Sequence, residues 1–441
     1  MNKRVPFPLQ SVPVSGQFDM IVCGGGLAGT AAAWNAADRG LKVMLMEYYH
    51  KLGGVPVSGM LGIVSGFKLE DEQVVDGKFF RELHERMDKI DGCTSRHDWA
   101  FRLHPEKLSM VLLDMLKEKG VMILLQTSAV SVAADSGLIR YVVSASKQGL
   151  EAWEANLFVD DTGDGDLAVM AGCPFEYGRT SDGKVQSSSL TFKLGGIDTD
   201  RIPKDMAEAT KIWRKEPHLT PTNHTVITCL PGTNGEASVN MTHILNCDPL
   251  THEGQLRIRE EGAKQAQEIA DFFRRNLSGF ERCYVAETAM QPGIRESRRI
   301  VGDYTLTEQD VITGQDFPDE IARCGWGIDI HVPDRIHGET PMPHFCLTKS
   351  FGVPYRCILP QGIRNLYIAG RPISATHEAF AASRINGTCI ALGEAIGIAA
   401  EMFMKTADTR SVDVSILQNE LQNQHGICHR NIINKAEKNI R

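Results

Sequence analysis

The sequence predicts a doubly wound α/β fold, strands and helices alternating around a mainly parallel sheet, with an α+β domain inserted into it. Two observations carry this prediction. A glycine-rich loop, GGGLAG over residues 24–29, joins an apolar run to an alanine-rich helical run and then to a second apolar run that ends in Glu47. Apolar runs that end in glycine return downstream, at DTGDGD (161–166) and AGR (369–371), after a long stretch of different character. Short apolar strands alternating with helices are the pattern of a parallel α/β sheet.

Residues 19–23 (DMIVC) form the first expected strand, residues 27–40 the first helix, and residues 42–46 the second strand. Together they make one βαβ unit. Residues 82–90 and 105–119 take helical periodicity, the second opening on Pro105, whose fixed φ suits a first turn. Residues 121–125, 129–133 and 138–144 are expected strands, and 157–161 is a buried strand running directly into TGDGD. From about residue 178 to 337 the connections lengthen and turn polar around one long helical run, 254–277. Residues 365–369 (NLYIA) then return to a core strand, followed by a small-residue helix over 387–405. The expected division is therefore a nucleotide-binding domain in two parts, 18–178 and 338–406, an inserted domain over 179–337, and a peripheral tail over 407–441.

With 441 residues, 42% of them hydrophobic, the chain can bury a large core and more than one domain. A formal net charge of -8 with no basic run gives no steering toward nucleic acid. Eleven cysteines, an odd number with no CxxC pair, argue for reduced thiols and a cytoplasmic protein. The proline-interrupted N-terminus has no signal-peptide core, and the later apolar segments read as too short or interrupted to span a bilayer. Oligomeric state is open, a homo-oligomer included.

Gly24, Gly26 and Gly29 make GxGxxG. The first permits the sharp turn, the second lets a pyrophosphate approach the backbone, and the third lets helix and strand pack closely. The amides of Leu27, Ala28 and Gly29 then lie at a helix N-terminus, where phosphate is favoured. Glu47 ends the second strand, where a carboxylate accepts both hydroxyls of an adenosine ribose and repels a 2'-phosphate. A glycine turn serving only packing would have to explain three glycines and the acid together, so a dinucleotide is expected, in a Rossmann-like domain. The loop alone does not separate NAD from FAD. Three glycine-marked strand ends converging on one extended ligand suit FAD.

Four segments carry a family resemblance: LGG (52–54), DTGDGDLAVMAG (161–172), IRESRRIVGDYTLTEQDV (294–311) and NLYIAGRPISATHEAFAASRINGTCIALGEAIGIAA (365–400). They resemble FAD-dependent oxidoreductases of the glutathione-reductase-like superfamily, on the side related to fumarate reductase and succinate dehydrogenase flavoproteins. The resemblance implies that the inserted domain carries substrate. It also implies that Gly24, Gly26 and Gly29 cradle the pyrophosphate while Glu47 holds the ribose. Gly53 and Gly54 would pass near the ribityl chain, and Val130 would offer its backbone to adenine. Gly163 and Asp164 would flank the cofactor, with Gly370 and Arg371 closing on the pyrophosphate and ribityl side. Related flavoproteins bind FAD covalently through a histidine. Here His50 precedes the glycine pair, so dissociable FAD is expected.

A second GxGxxG, a redox CxxC and a four-cysteine cluster pattern are all missing from the sequence. The flavin is therefore expected to exchange electrons with an organic small-molecule substrate or a separate electron-transfer protein, direct NAD(P)H reduction being a further reading. The N-terminal amides of the last helix, near Gly387 and Thr388, would face the flavin N1–C2 edge and favour its anionic reduced form. His377 and Arg384 bracket that approach, a histidine moving a proton and an arginine clamping a carboxylate. On a helical turn Arg295 and Arg298 would share a face and suit an anion. Each of these also has a purely structural reading as a loop hydrogen bond or ion pair. No metal pattern is present, and no metal is expected. The function expected is hydride exchange between FAD N5 and a small, carboxylate-bearing molecule; an NAD-dependent dehydrogenase and an FAD-binding protein without turnover are the alternatives.

Overall fold

The structure is a computed structural model, and it describes residues 11–69, 72–97, 100–203, 211–213, 227–334 and 347–426. The main sheet has seven strands: β1 (Val14–Cys23), β2 (Val43–Glu47), β3 (Met122–Leu125), β4 (Ser128–Asp135), β5 (Leu138–Ser146), β6 (Gly149–Asp160) and β7 (Leu366–Ile368). Their order is β3-β2-β1-β6-β5-β4, and β7 pairs with the far end of β6. The β3, β2, β1, β6 and β7 pairings are parallel, with Cys23 opposite both Met46 and Asp160, and Asp160 opposite Ile368. Five strands thus end along one carboxyl edge, the place where open α/β sheets bind ligands.

Met20, Ile21 and Val22 are fully buried, as a parallel strand covered on both faces must be. Helix α1 (Leu27–Asp38) lies against helix α2 (Asn386–Thr406). Their contact is made by small residues: a Cβ on Gly393 would sit 2.2 Å from the Ala28 carbonyl oxygen, and one on Gly397 would sit 2.7 Å from that of Ala32. The alanine and glycine runs of both segments therefore serve backbone-to-backbone packing. Helix α2 is long and apolar enough to cross a membrane by length and composition, contrary to the sequence reading of interrupted segments. Its apolar surface is spent inside the protein, where 83% of that window is buried.

In the stretch read as inserted, strands Ile227–Cys229, Ala237–Val239, Phe192–Gly195 and Tyr284–Thr288 form an antiparallel sheet in that order. Helix His252–Asn276 backs it, capped by Thr251 Oγ1 accepting from Gly254 N at 3.0 Å. Phe192, Leu194, Ile269, Phe272 and Phe273 make a separate core there. Part of the segment read as a tail, residues 407–426, is described. Helix Val414–Asn423 buries Leu417 and Leu421, one turn apart, and Gln418 Nε2 donates to the carbonyls of Pro318 and Glu320.

Candidate active site

The glycine loop lies at the carboxyl edge, between the ends of β1 and β6. Gly24 has φ +108°, and a Cβ there would be 2.1 Å from the Asp161 carbonyl oxygen. Leu27 and Ala28 open α1 and are buried. Glu47 is 7% exposed. Its Oε2 accepts from Gly25 N at 2.6 Å and its Oε1 from Tyr49 N at 2.7 Å. Burial raises its carboxyl above the usual range, and the backbone amides offset only part of that rise. The Gly53–Gly54 turn packs on the same loop, Gly53 N donating to Gly25 O at 2.7 Å. Val130 stands on β4, 44% exposed, just after Thr127, whose amide donates to Glu47 O.

On the other side of the loop, Arg371 Nη2 bonds Asp164 Oδ1 at 2.7 Å and lies 3.0 Å from where a Gly163 Cβ would be. Ser297 Oγ donates to the same Asp164 oxygen. A Cβ on Gly387 would meet the Gly66 carbonyl at 2.4 Å, which seats the start of α2 against the Gly66 turn, and Thr388 is fully buried. The three glycine-marked segments therefore do meet. One further residue meets them: the Asp161 carboxylate, where Oδ2 accepts from Gly29 N at 2.8 Å.

Arg295 and Arg298 part company, because the chain is extended here rather than helical; Arg298 begins the Arg298–Ile300 strand. Arg298 Nη1 is taken by Asp166 Oδ1 at 2.6 Å and by the Asp164 carbonyl. Arg295 turns into the protein, 7% exposed, and donates to Ser187 O at 2.9 Å. Desolvation, then Arg384, pushes its pKa down to about 9. Arg384 Nη2 donates to Asp329 O at 3.0 Å, and its Nε has no partner among the described residues. The Asp329 side chain lies 3.4 Å from His331 Nε2. Burial opposes ionisation of Asp329, yet His331, Arg384 and Arg295 hold it below the usual carboxylate range. Desolvation, then Arg295, pushes His331 down to about 3, so this imidazole is neutral at pH 7.

The same cluster continues through short links. His331 and His243 stack with ring centroids 5.4 Å apart, and His243 Nδ1 lies 3.2 Å from Ser187 Oγ. Gln186 N donates to Glu296 Oε2 at 2.9 Å, while Glu296 Oε1 holds His377 Nδ1 at 2.9 Å. Glu296, Gln186 and Ser188 are fully buried, whereas Asp329, His331 and Arg384 keep intermediate exposure. The cluster thus has a closed base and an open rim. Buried Gln186 Nε2, Ser188 Oγ and Ser383 Oγ lack partners among the described residues. Buried polar atoms of this kind ordinarily find partners, so a ligand is one way to complete them. Of the residues expected from sequence, the structure brings Arg295, Arg384 and His377 into this cluster and joins to them Glu296, Ser187 and Asp329, which were not expected as site residues. The only local signal was Glu296 inside IRESRR.

A family model described as FAD dependent oxidoreductase matches residues 19–421. The chain belongs to that family. It is a flavoprotein enzyme with FAD as cofactor and a parallel Rossmann-like sheet. A search of curated proteins found none that matches. Among solved structures, a geranylgeranyl bacteriochlorophyll reductase-like protein from Thermoplasma acidophilum is 12% identical, with a TM-score of 0.46 over 93% of this chain and 85% of its own. The flavin-dependent brominase Bmp2 is 12% identical, with a TM-score of 0.47 over 92% and 84%. The p-nitrophenol 4-monooxygenase PnpA from Pseudomonas putida DLL-E4 is 11% identical, with a TM-score of 0.43 over 92% and 81%. Likeness of this degree says nothing about the substrate of this oxidoreductase.

Proposed function

We propose that this oxidoreductase exchanges hydride between FAD N5 and a small carboxylate-bearing molecule held by Arg295 and Arg384. The observation that carries the reading is that pair of guanidiniums, which hydrogen-bond one carbonyl oxygen each among the described residues and share the nearby Asp329 carboxylate between two positive charges. Guanidiniums match carboxylates through two parallel hydrogen bonds and are costly to bury without an anion. The proposed FAD contacts are Gly24, Gly26, Leu27, Ala28, Gly29, Glu47, Gly53, Gly54, Val130, Gly163, Asp164, Gly370, Arg371, Gly387 and Thr388. Supporting that placement are glycines with no room for a Cβ where the loops approach, and the Glu47 carboxylate at the end of β2. When bound, FAD supplies a two-electron acceptor or donor.

The protein groups do the rest. Glu296 orients His377 through Nδ1, which leaves Nε2 to take or give the proton that accompanies hydride exchange. Neutral His331 adds a hydrogen-bonding group without adding a third positive charge beside Arg295 and Arg384. The inserted stretch supplies Ser187 and His243, so substrate would lie between it and the main sheet, shielded from water. The resemblance in the four quoted segments supports a glutathione-reductase-type domain interrupted over 179–337, on the fumarate reductase side. Buried cysteines such as Cys23, Cys93, Cys173, Cys324, Cys357 and Cys389 are free thiols, which supports a reducing compartment such as the cytoplasm. A second substrate or a separate electron-transfer protein would complete the redox cycle.

The test is titration of FAD-loaded protein with hydroxy acids, dicarboxylates, amino acids and neutral sugars, followed by flavin absorbance. Carboxylates should perturb the spectrum, and Arg295→Ala or Arg384→Ala should weaken them at least tenfold. Perturbation by neutral compounds alone, unchanged in both variants, overturns the reading.

A further inference from the structure

Asp161 lies in the cofactor cradle itself. The residue follows β6, and its amide donates to Cys23 O at 2.8 Å, which brings the end of β6 beside the Gly24 turn. Its side chain then enters the space between the first and last glycine motifs. Oδ2 takes the Gly29 amide, the third of the N-terminal turn of α1. A Cβ built on Gly26 would be 2.7 Å from Oδ2, one on Gly29 2.5 Å from it, and one on Gly370 2.7 Å from Oδ1. Three loop glycines that leave room for a pyrophosphate thus also border a carboxylate of this chain.

We propose that FAD binding to this protein is coupled to the uptake of one proton by the Asp161 carboxyl. The pyrophosphate brings negative charge to amides that Asp161 already shares, and two anions at one helix N-terminus repel. Protonation from solvent removes the conflict. The Oδ2–Gly29 hydrogen bond survives, because a neutral carboxyl still has an accepting oxygen, and the added O–H becomes a donor that a phosphate oxygen can accept.

The acidic groups facing Asp161 act in the same direction, and the Gly29 and Gly26 amides oppose them in part. Glu47 at the end of β2 and Asp160 at the end of β6 are both acidic and raise it further. Cys389 on α2 is itself pushed up by burial and then by Asp161. Arg371, in the loop after β7, is engaged by Asp164. Before FAD arrives, desolvation already holds the Asp161 carboxyl well above the usual carboxylate range. Between the free and the FAD-bound pKa, affinity should weaken by up to tenfold for each pH unit.

The experiment measures the FAD dissociation constant of the full chain by flavin fluorescence from about pH 6 to 9, for wild type, Asp161→Asn and Asp161→Ala. Isothermal titration in two buffers of different ionisation enthalpy counts the protons taken up. Wild type should lose affinity as pH rises and take up a fraction of a proton for each FAD that grows toward one between the free and the FAD-bound pKa. Both variants should bind FAD with little pH dependence and more tightly than wild type at the alkaline end. Riboflavin, which lacks the pyrophosphate, should show no coupling. Equal pH slopes in all three proteins, or weaker FAD binding by both correctly folded variants, overturn the proposal. Neither result touches the assignment of Arg295 and Arg384 to substrate.

Discussion

Replacement of Arg295 by methionine removes the charge but keeps most of the side-chain length, and the cofactor-free protein is expected to gain stability from it. The guanidinium is 7% exposed and makes one hydrogen bond, to Ser187 O. Its fall from 12.5 to about 9, caused by desolvation and then by Arg384, corresponds to about 5 kcal/mol disfavouring the charged form, at roughly 1.4 kcal/mol per pKa unit. Methionine abolishes that cost but leaves the Ser187 carbonyl without its donor, a loss of about 1–3 kcal/mol. The net expectation is a gain of about 2–4 kcal/mol, within the roughly 1–4 kcal/mol seen when buried ions give way to apolar isosteres. Arg298→Met is the control. That guanidinium bonds Asp166 and the Asp164 carbonyl at the edge of solvent, so its loss should cost about 1 kcal/mol. Urea unfolding of the apo forms, read as midpoint shifts at constant slope, gives both signs. A loss of 2 kcal/mol or more in Arg295→Met would mean that Arg295 is a structural anchor and would refute the reasoning that makes it a substrate clamp.

Two further outcomes follow from the packing of α2. Glu394, 3% exposed, has its carboxyl pushed up by burial to about 7, and its Oε1 accepts from Phe80 N. The folded chain therefore holds this proton more tightly than the unfolded one, and the stability it contributes is complete below about pH 4.5 and lost as pH rises through about 7. Glu394→Gln should gain on wild type across that window by up to about 3 kcal/mol, while a constant difference between the two across the same range argues against the assignment. Gly393→Ala would set a Cβ 2.2 Å from Ala28 O, forcing α1 and α2 apart. It should lower stability by about 2–3 kcal/mol and weaken FAD retention, and an unchanged melting temperature with full flavin content would contradict that account.

The βαβ unit, the glycine loop and Glu47 were legible in the sequence because each is a local device. A turn with positive φ, a helix start and a strand end are all set by residues within a few positions of one another. The small-residue character of α2 was equally plain, although its role as a buried partner of α1 required both helices to be seen together. The arginines show where local reading stops. Helical spacing would place Arg295 and Arg298 side by side, but in an extended segment side chains three apart point to opposite faces, and the two separate accordingly. The polar cluster draws Ser187, Glu296, Asp329, His331, His377 and Arg384 from distant segments. Their mutual charges and desolvation exist only once the chain has closed around them. Asp161 is the sharpest case. As a letter in DTGDGD it passed for part of a turn, and only the meeting of β6 with the loops after β1 and β7 puts its carboxylate against the amide of Gly29. Sequence determines which backbone groups are left unpaired at a helix start, whereas the tertiary structure decides which charge is brought to them.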